Sequence, residues 1–412
     1  MADWLVLVFA SLVLGAGVAA LMVLPRAGAW ASLAAVAAAT AAAASAAAMI
    51  VARFDTVDAT ALVGLSVVGC MAAGYGLAAS LVPTLARHRQ PREETVRPGG
   101  PDDAVLVLLA CAEPERYDPV ALAARNQLLQ DAGVPEIRPT ALPWLFLSER
   151  ARYRTAGGRS PGPAAARSLA EHVSRSSESR GDDTVALAWC NPTGHLAHVV
   201  EAQLAAGTRR IGVVTIGGPG ALGADAARAA VEPILRARRD VSLTWTRSLW
   251  SDRHLAEALA ARILETATPG PSGAPGPTSG SVGIVLLGEG LPAAWAQQHP
   301  QAAIDRNYFG QRVRMALADA GVPAHAVREA WLEWQLPDLT ETVRHHAAMG
   351  CTRIVVAPVG IALPSLQTAL DIGPAIRFAR IPANVEVITI DPSMCIDLLA
   401  EAAVRAASEA LG

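Results

Sequence analysis

The chain of 412 residues contains no lysine, so all 34 of its basic side chains are arginine. Aromatic residues are scarce, at 4% of the chain, and the formal net charge is only −3. A chain without a surplus of positive charge lacks the electrostatic footprint of a nucleic-acid-binding protein. We therefore expect no nucleic-acid partner, and we interpret the exclusive use of arginine as a coding bias.

Charged residues are also nearly absent from residues 1–86. Three stretches of this region, 4–24, 30–51 and 59–81, have the roughly 20 apolar residues that cross a bilayer core of about 30 Å. The first stretch lacks the basic start of a signal peptide and is too long for the apolar part of one, so it is expected to be retained. The sequence predicts a three-span membrane anchor.

Arginines flank the third span on its C-terminal side, in the phrase RHRQPREETVR. The excess of arginine predicts that this end is cytoplasmic, because positive residues stay on the inside of a membrane. The N-terminus is then outside, and the soluble part is cytoplasmic at the inner (plasma) membrane. Binding of lipid or nucleic acid is an alternative explanation of the same phrase, but a flank of the last span explains it more simply.

Cysteine is rare, with five residues that show no CxxC spacing. They are Cys70, Cys111, Cys190, Cys351 and Cys395. Because thiols stay reduced in the cytoplasm, the cysteines of the soluble part are expected to be free.

Two linkers rich in Pro and Gly, residues 87–102 and 268–281, divide the chain beyond the anchor. They leave a first half at residues 103–267 and a second half at residues 282–412. Each half begins with an apolar run, AVLVLLA or VGIVLL, that is typical of a strand buried on both faces.

Later phrases of the two halves, AAGTRRIGVVTI and AMGCTRIVVAPV, share Gly, Thr-Arg, Ile and a Val pair. This similarity indicates an internal duplication of a strand-helix-strand unit. We expect an α/β fold of two similar parallel-sheet halves with a cleft between them, preceded by three transmembrane helices. Ligands of such folds bind beyond the carboxyl ends of the strands.

Five phrases of the soluble part resemble segments of the class II chelatase superfamily, most closely the ferrochelatases. In chain order they are RYRTAGGRSP, ALAWCNPTGHLAHVVEAQLAAG, LLGEGLP, AWLEWQLPDLTETV and PVGIALPSLQTALDIG. The resemblance covers most of residues 105–411, and the sirohydrochlorin chelatases are shorter relatives. It implies a porphyrin or haem in the cleft and, in an active member, a lyase that inserts divalent iron.

The resemblance also implies site residues. Glu289 stands where the family has a His facing the porphyrin centre, and Gln367 stands where it has a Glu on the opposite side. The Asp-His pair before that Glu is replaced by Pro364 and Ser365. Glu289 and Gln367 are therefore the predicted catalytic positions. The predicted substrate-binding residues are Cys111, Gly158, Arg159, Ser160, Cys190, Asn191 and Ser365.

Metal insertion requires a ligand that delivers the ion and a base that accepts the pyrrole protons. Imidazole serves both needs near neutral pH, and a partly desolvated carboxylate such as Glu289 also can, because burial raises its pKa. Gln367 cannot ionise. Glu289 and Cys111 are predicted metal ligands, Cys111 together with Cys190 as thiolates. Alternatively, Glu289 caps the helix starting near Pro292 or pairs with an arginine such as Arg312, and the cysteines are small buried apolar residues.

Three functions are compatible with these residues, and whether the chain is an enzyme stays open among them. The first is a membrane-anchored tetrapyrrole-binding protein with weakened or lost metal insertion. The second is an active iron chelatase that uses Glu289. The third is a non-catalytic scaffold in a membrane complex. The expected partners are a tetrapyrrole, the lipid bilayer, and either a membrane complex or further copies of the chain.

Overall fold

The computed structural model describes most of the chain in two compact units. The described residues are 2–24, 26–54, 57–81, 104–131, 133–134, 138–178, 184–190, 194–221, 223–238, 240–268 and 282–411. The first unit comprises Met1–Gln90, Arg116–Gln130 and Pro135–Arg159, and the second comprises Pro91–Glu115, Asp131–Val134 and Ser160–Gly412. The predicted linkers 87–102 and 268–281 lie outside the described residues, except for Thr268.

Three long helices open the first unit: α1 (Ala2–Val23), α2 (Arg26–Phe54) and α3 (Val57–Leu81). Each is long and apolar enough to cross a membrane, with a mean hydropathy of 2.6, 1.9 and 1.8 in turn. Helices α1 and α3 meet through glycine, because a Cβ on Gly15 would lie 1.9 Å from the carbonyl oxygen of Met71. Small residues permit this close packing of apolar helices.

Two further helices, α4 (Pro119–Asp131) and α5 (Leu142–Thr155), belong mainly to the same unit. The Tyr117 hydroxyl donates a hydrogen bond to the Val23 carbonyl at 2.6 Å. The Arg150 guanidinium donates to the carbonyls of Leu21 and Leu24, both at 2.8 Å. Tyr117 and Arg150 thus pair with carbonyls in the last turn of α1 and just beyond it, where a helix leaves its acceptors without backbone partners.

The second unit contains two four-stranded sheets in which every strand pair is parallel. The first sheet consists of β1 (Ala104–Ala110), β2 (Thr184–Trp189), β3 (Arg210–Ile216) and β4 (Ser242–Trp245), in the order β2-β1-β3-β4. The second consists of β5 (Val282–Gly288), β6 (Val327–Trp331), β7 (Arg353–Pro358) and β8 (Glu386–Thr389), in the order β6-β5-β7-β8. The expectation of two similar parallel-sheet halves is confirmed.

Helices cover both faces of these sheets. They are α6 (Gly162–Glu178), α7 (His195–Ala205), α8 (Ala224–Ala237), α9 (Arg253–Ala267), α10 (Ala293–Gln298), α11 (Pro300–Asp319), α12 (Leu339–Ala348), α13 (Leu366–Phe378) and α14 (Ile396–Leu411). All seven residues of β1 are buried, as its unbroken apolar sequence predicts.

One apolar core joins the two halves. Leu106 and Leu108 of β1 share a cluster with Ile284 and Leu286 of β5, whereas Val107 points to a cluster on the outer face of the first sheet. Helix α14, at the end of the second half, crosses to the first sheet, where a Cβ on Gly212 would lie 3.1 Å from the Leu411 side chain. The halves therefore fold as one body.

Candidate functional site

The predicted site residues follow the carboxyl ends of neighbouring strands. Cys111 follows β1, Cys190 follows β2 and Glu289 follows β5. Strands β1 and β5 hold the same place in the two strand orders, so Cys111 and Glu289 occupy equivalent positions in the two halves.

A glycine loop after β3 borders both Cys111 and Glu289. A Cβ on Gly217 would lie 2.9 Å from the Cβ of Cys111, and a Cβ on Gly218 would lie 3.4 Å from Oε2 of Glu289. Since the two glycines are adjacent, these groups are within about 13 Å of each other. The same Cβ on Gly218 would lie 2.7 Å from the carbonyl oxygen of Gly360, so the two halves touch at this point.

Cys111 and Cys190 form a disulfide, with their Cα atoms 5.0 Å apart. The expectation of free thiols is therefore wrong for this pair, whereas Cys70, Cys351 and Cys395 are free. The physical reason is register: Ala110 and Trp189 are paired on adjacent parallel strands, so the residues after them lie side by side. A disulfide offers no thiolate, so in this state Cys111 is not the soft metal ligand that the sequence suggests.

Glu289 lies on a turn rather than at a helix cap. Helix α10 has Pro292 at its N-cap and no side-chain cap, so the capping alternative is wrong. The turn is tight because Gly290 has φ +88°, and a Cβ there would lie 1.8 Å from the carbonyl oxygen of Glu333. The guanidinium of Arg312 lies over the ring of Tyr308, 4.3 Å from its centre.

Gln367 and Ser365 lie at the start of α13. Ser365 is the N-cap, and its hydroxyl accepts a hydrogen bond from the Thr368 N–H at 3.1 Å. The Thr368 hydroxyl accepts one in return from the Ser365 N–H at 2.8 Å. The Ser365 side chain thus starts the helix, and half-buried Gln367 lies in its first turn.

The phrase GGRSP separates into two parts. Gly157 and Gly158 have φ of +76° and +88° and would have no atom within 4 Å of an added Cβ, so they end α5 rather than admit a close neighbour. Gly158 and Arg159 belong to the first unit, and Ser160 begins a segment of the second. Asn191, the remaining predicted substrate-binding residue, lies outside the described residues.

Sequence reasoning missed Glu113, two residues after Cys111. Its Oε1 accepts hydrogen bonds from the Ser160 hydroxyl at 2.7 Å and from the Leu366 N–H at 2.6 Å. The carboxylate therefore binds the N-terminus of α13, where helices favour negative charge, and links the first half to the second. The only signal in the sequence was an acid just beyond a buried strand, in CAEPER.

Among the residues that the structure describes, no group of three or more His, Cys, Asp or Glu side chains is arranged to hold a metal ion. The donor set around Glu289 therefore does not fit a resident metal centre. Iron would bind at this site as a substrate, not as a resident cofactor.

No family model and no curated protein matches this chain. Among solved structures, SirB from Bacillus subtilis with Fe3+ is similar, with a TM-score of 0.46 and 12% sequence identity. The likeness covers 75% of this chain and 96% of that one. At this TM-score and identity, neither a function nor a residue role is transferred from it.

Proposed function

We propose that this chain is a membrane-anchored protein that binds a tetrapyrrole, porphyrin or haem, between its two α/β halves, and that its metal-insertion chemistry is weakened or lost. The weakened or lost metal insertion is inferred from one observation. At the two positions that the ferrochelatase resemblance assigns to the chemistry, the chain has a single ionisable side chain, Glu289, opposite neutral Gln367. Inserting a divalent ion displaces two pyrrole protons, and Gln367 can accept neither.

The other polar groups of the site support the same conclusion. The disulfide between Cys111 and Cys190 withholds two thiolates from any incoming metal ion. The Glu113 carboxylate already accepts two hydrogen bonds that hold the halves together. Recruiting either group to metal transfer would require breaking a bond that the folded protein makes.

The binding role draws its support from the order of the five chelatase-like phrases and from the placement of Cys111 and Glu289 around one glycine loop. A flat macrocycle between the halves needs van der Waals clearance of about 3.5 Å on each side. A Cβ added to Gly218 would lie 2.7 Å from the Gly360 carbonyl oxygen, so the two backbones approach each other here more closely than the roughly 7 Å that this clearance on both faces of a ring requires. We therefore expect ligand entry to require local opening of the two loops that carry these glycines, and association to be slow.

Anchoring is part of the same proposal. Three helices of sufficient length and hydropathy support a membrane location, and the arginine flank supports a cytoplasmic position for the sheets. Helix α5 binds the C-terminal carbonyls of α1 through Arg150. An experiment should therefore use the full chain in detergent, since residues 116–159 pack largely with the apolar helices.

The test is an absorbance titration of the full chain with porphyrin and with haem, followed by addition of ferrous iron or zinc. Binding of the ring without metal insertion is the expected result. Insertion at the rate of a working enzyme would establish the active chelatase instead. If the protein binds no more porphyrin or haem than detergent alone does, the scaffold function is the one that remains.

A further inference from the structure

A small cavity lies at the carboxyl edge of the second sheet, between β5, β6 and α11. Its volume is about 10 Å³, which holds one water-sized group, and its lining includes Gly288, Arg306 and Trp331. Gly288 directly precedes Glu289, so the cavity adjoins the candidate site.

Arg306 brings a buried cation to this cavity. Its residue is only 9% exposed, and its guanidinium lies 4.5 Å from the centre of the Trp331 ring. The Nε atom is buried and has no hydrogen-bond partner among the described residues. Buried donors are nearly always paired, and an unpaired donor on a charged group is destabilising, so this arrangement calls for an acceptor.

Gly288 makes the arrangement possible. A Cβ on Gly288 would lie 2.2 Å from Cζ3 of Trp331, so only glycine allows the indole to cross the end of β5. The indole then forms a flat wall for the Arg306 guanidinium, which stacks on it.

The charged residues that line the cavity are Arg306 and Glu329. Glu329 is shared with a second arginine, because its Oε1 accepts a hydrogen bond from Arg314 at 3.3 Å. Burial lowers the pKa of Arg306, and Glu329 partly offsets this effect, but an arginine side chain stays protonated at physiological pH.

We propose that Arg306 anchors a carboxylate group of the ligand, with one carboxylate oxygen in the cavity accepting from Nε. The volume admits a single oxygen, which is what one end of a carboxylate places there. The ring of the ligand would then lie toward Glu289 and Gly360, since a Cβ on Gly360 would be 3.9 Å from Cγ of Arg306. This assignment rests on the proposed tetrapyrrole function, and it specifies a ring with acidic side chains.

The test compares a porphyrin tetracarboxylate with its uncharged tetra-amide, titrated against the full chain in detergent. Arg306→Gln removes the positive charge, and Arg306→Met is a second variant that suits a buried site. Arg312→Gln is the matched control, because Arg312 lies on the same helix and its guanidinium stacks on exposed Tyr308. The wild type should prefer the acid by about 10- to 100-fold, as for a charged hydrogen bond.

The preference should disappear in both Arg306 variants and persist in Arg312→Gln. Equal binding of acid and amide by the wild type would overturn the assignment while the tetrapyrrole function stands, and would mean that the cavity holds water. If neither porphyrin binds, the tetrapyrrole function fails, and acetate becomes the probe. If acetate raises the melting temperature of the wild type but not of Arg306→Gln, Arg306 still binds a carboxylate. If acetate raises both melting temperatures equally, the carboxylate site at Arg306 is refuted.

Discussion

His346 should make the second half sensitive to acid. This side chain, on α12, is 1% exposed, and its ring packs on β5, where a Cβ on Gly283 would lie 2.7 Å from its Cγ. Burial, and to a smaller extent the charge of His345, lowers the pKa of His346 from 6.5 to about 4. Between these two pKa values, His346 is therefore protonated in the unfolded chain and neutral in the folded chain.

The sign follows from this difference. Because the folded pKa lies below the unfolded one, protonation favours unfolding as the pH falls from 6.5 toward 4. The stabilisation from keeping His346 neutral is complete above pH 6.5 and declines below it. For a shift of this size the loss is about 2 kcal/mol at pH 5 and about 3 kcal/mol at pH 4.

Urea denaturation of the full chain in detergent, followed by tryptophan fluorescence, measures this loss. We expect the wild type to lose about 2 kcal/mol more between pH 7 and pH 5 than His346→Phe, which keeps a ring that cannot titrate. His325→Gln, a change at an exposed histidine, should lose as much as the wild type. Equal losses in the wild type and His346→Phe would refute the reasoning.

Three further outcomes are expected. Glu289→Gln should abolish residual zinc or iron insertion without weakening porphyrin binding. The double variant Glu289→His with Gln367→Glu should accelerate insertion by about 100-fold or more. If the insertion rate is unchanged in both variants, the role of Glu289 is structural. Gly218→Ala should lower the free energy of unfolding by about 1–3 kcal/mol, because its Cβ would meet Gly360; an unchanged urea midpoint would count against that contact. Protease should digest residues 103–412 in inverted vesicles only, and digestion from outside alone would reverse the orientation.

The strand framework could be predicted because buried parallel strands leave a strong trace in sequence. The runs AVLVLLA and VGIVLL correspond to β1 and β5, and the duplicated phrases end in β3 and β7. Continuous apolar residues are required where helices cover both faces of a sheet, so this signal depends on burial alone. The three N-terminal helices were predictable for a different reason, because each contains about 20 apolar residues with almost no charge.

The polar connections could not be predicted, because they depend on register and on partners distant in sequence. The disulfide arises from the pairing of β1 with β2, and an argument from the reducing compartment pointed the other way. Glu113 meets Leu366 across 253 residues. Arg306 lies within helix α11, an arginine normally faces water, and only the fold shows that this one is buried against Trp331.

The repeated strand order has a consequence for the symmetry of binding. In a dimer of two identical halves, equivalent positions carry the same residue on both sides of the interface. Joined in one chain, the halves can diverge, and here one presents Cys111 where the other presents Glu289. A ligand between them meets two chemically different walls. A pseudosymmetric ring would therefore have one preferred face and direction, rather than two equal ones.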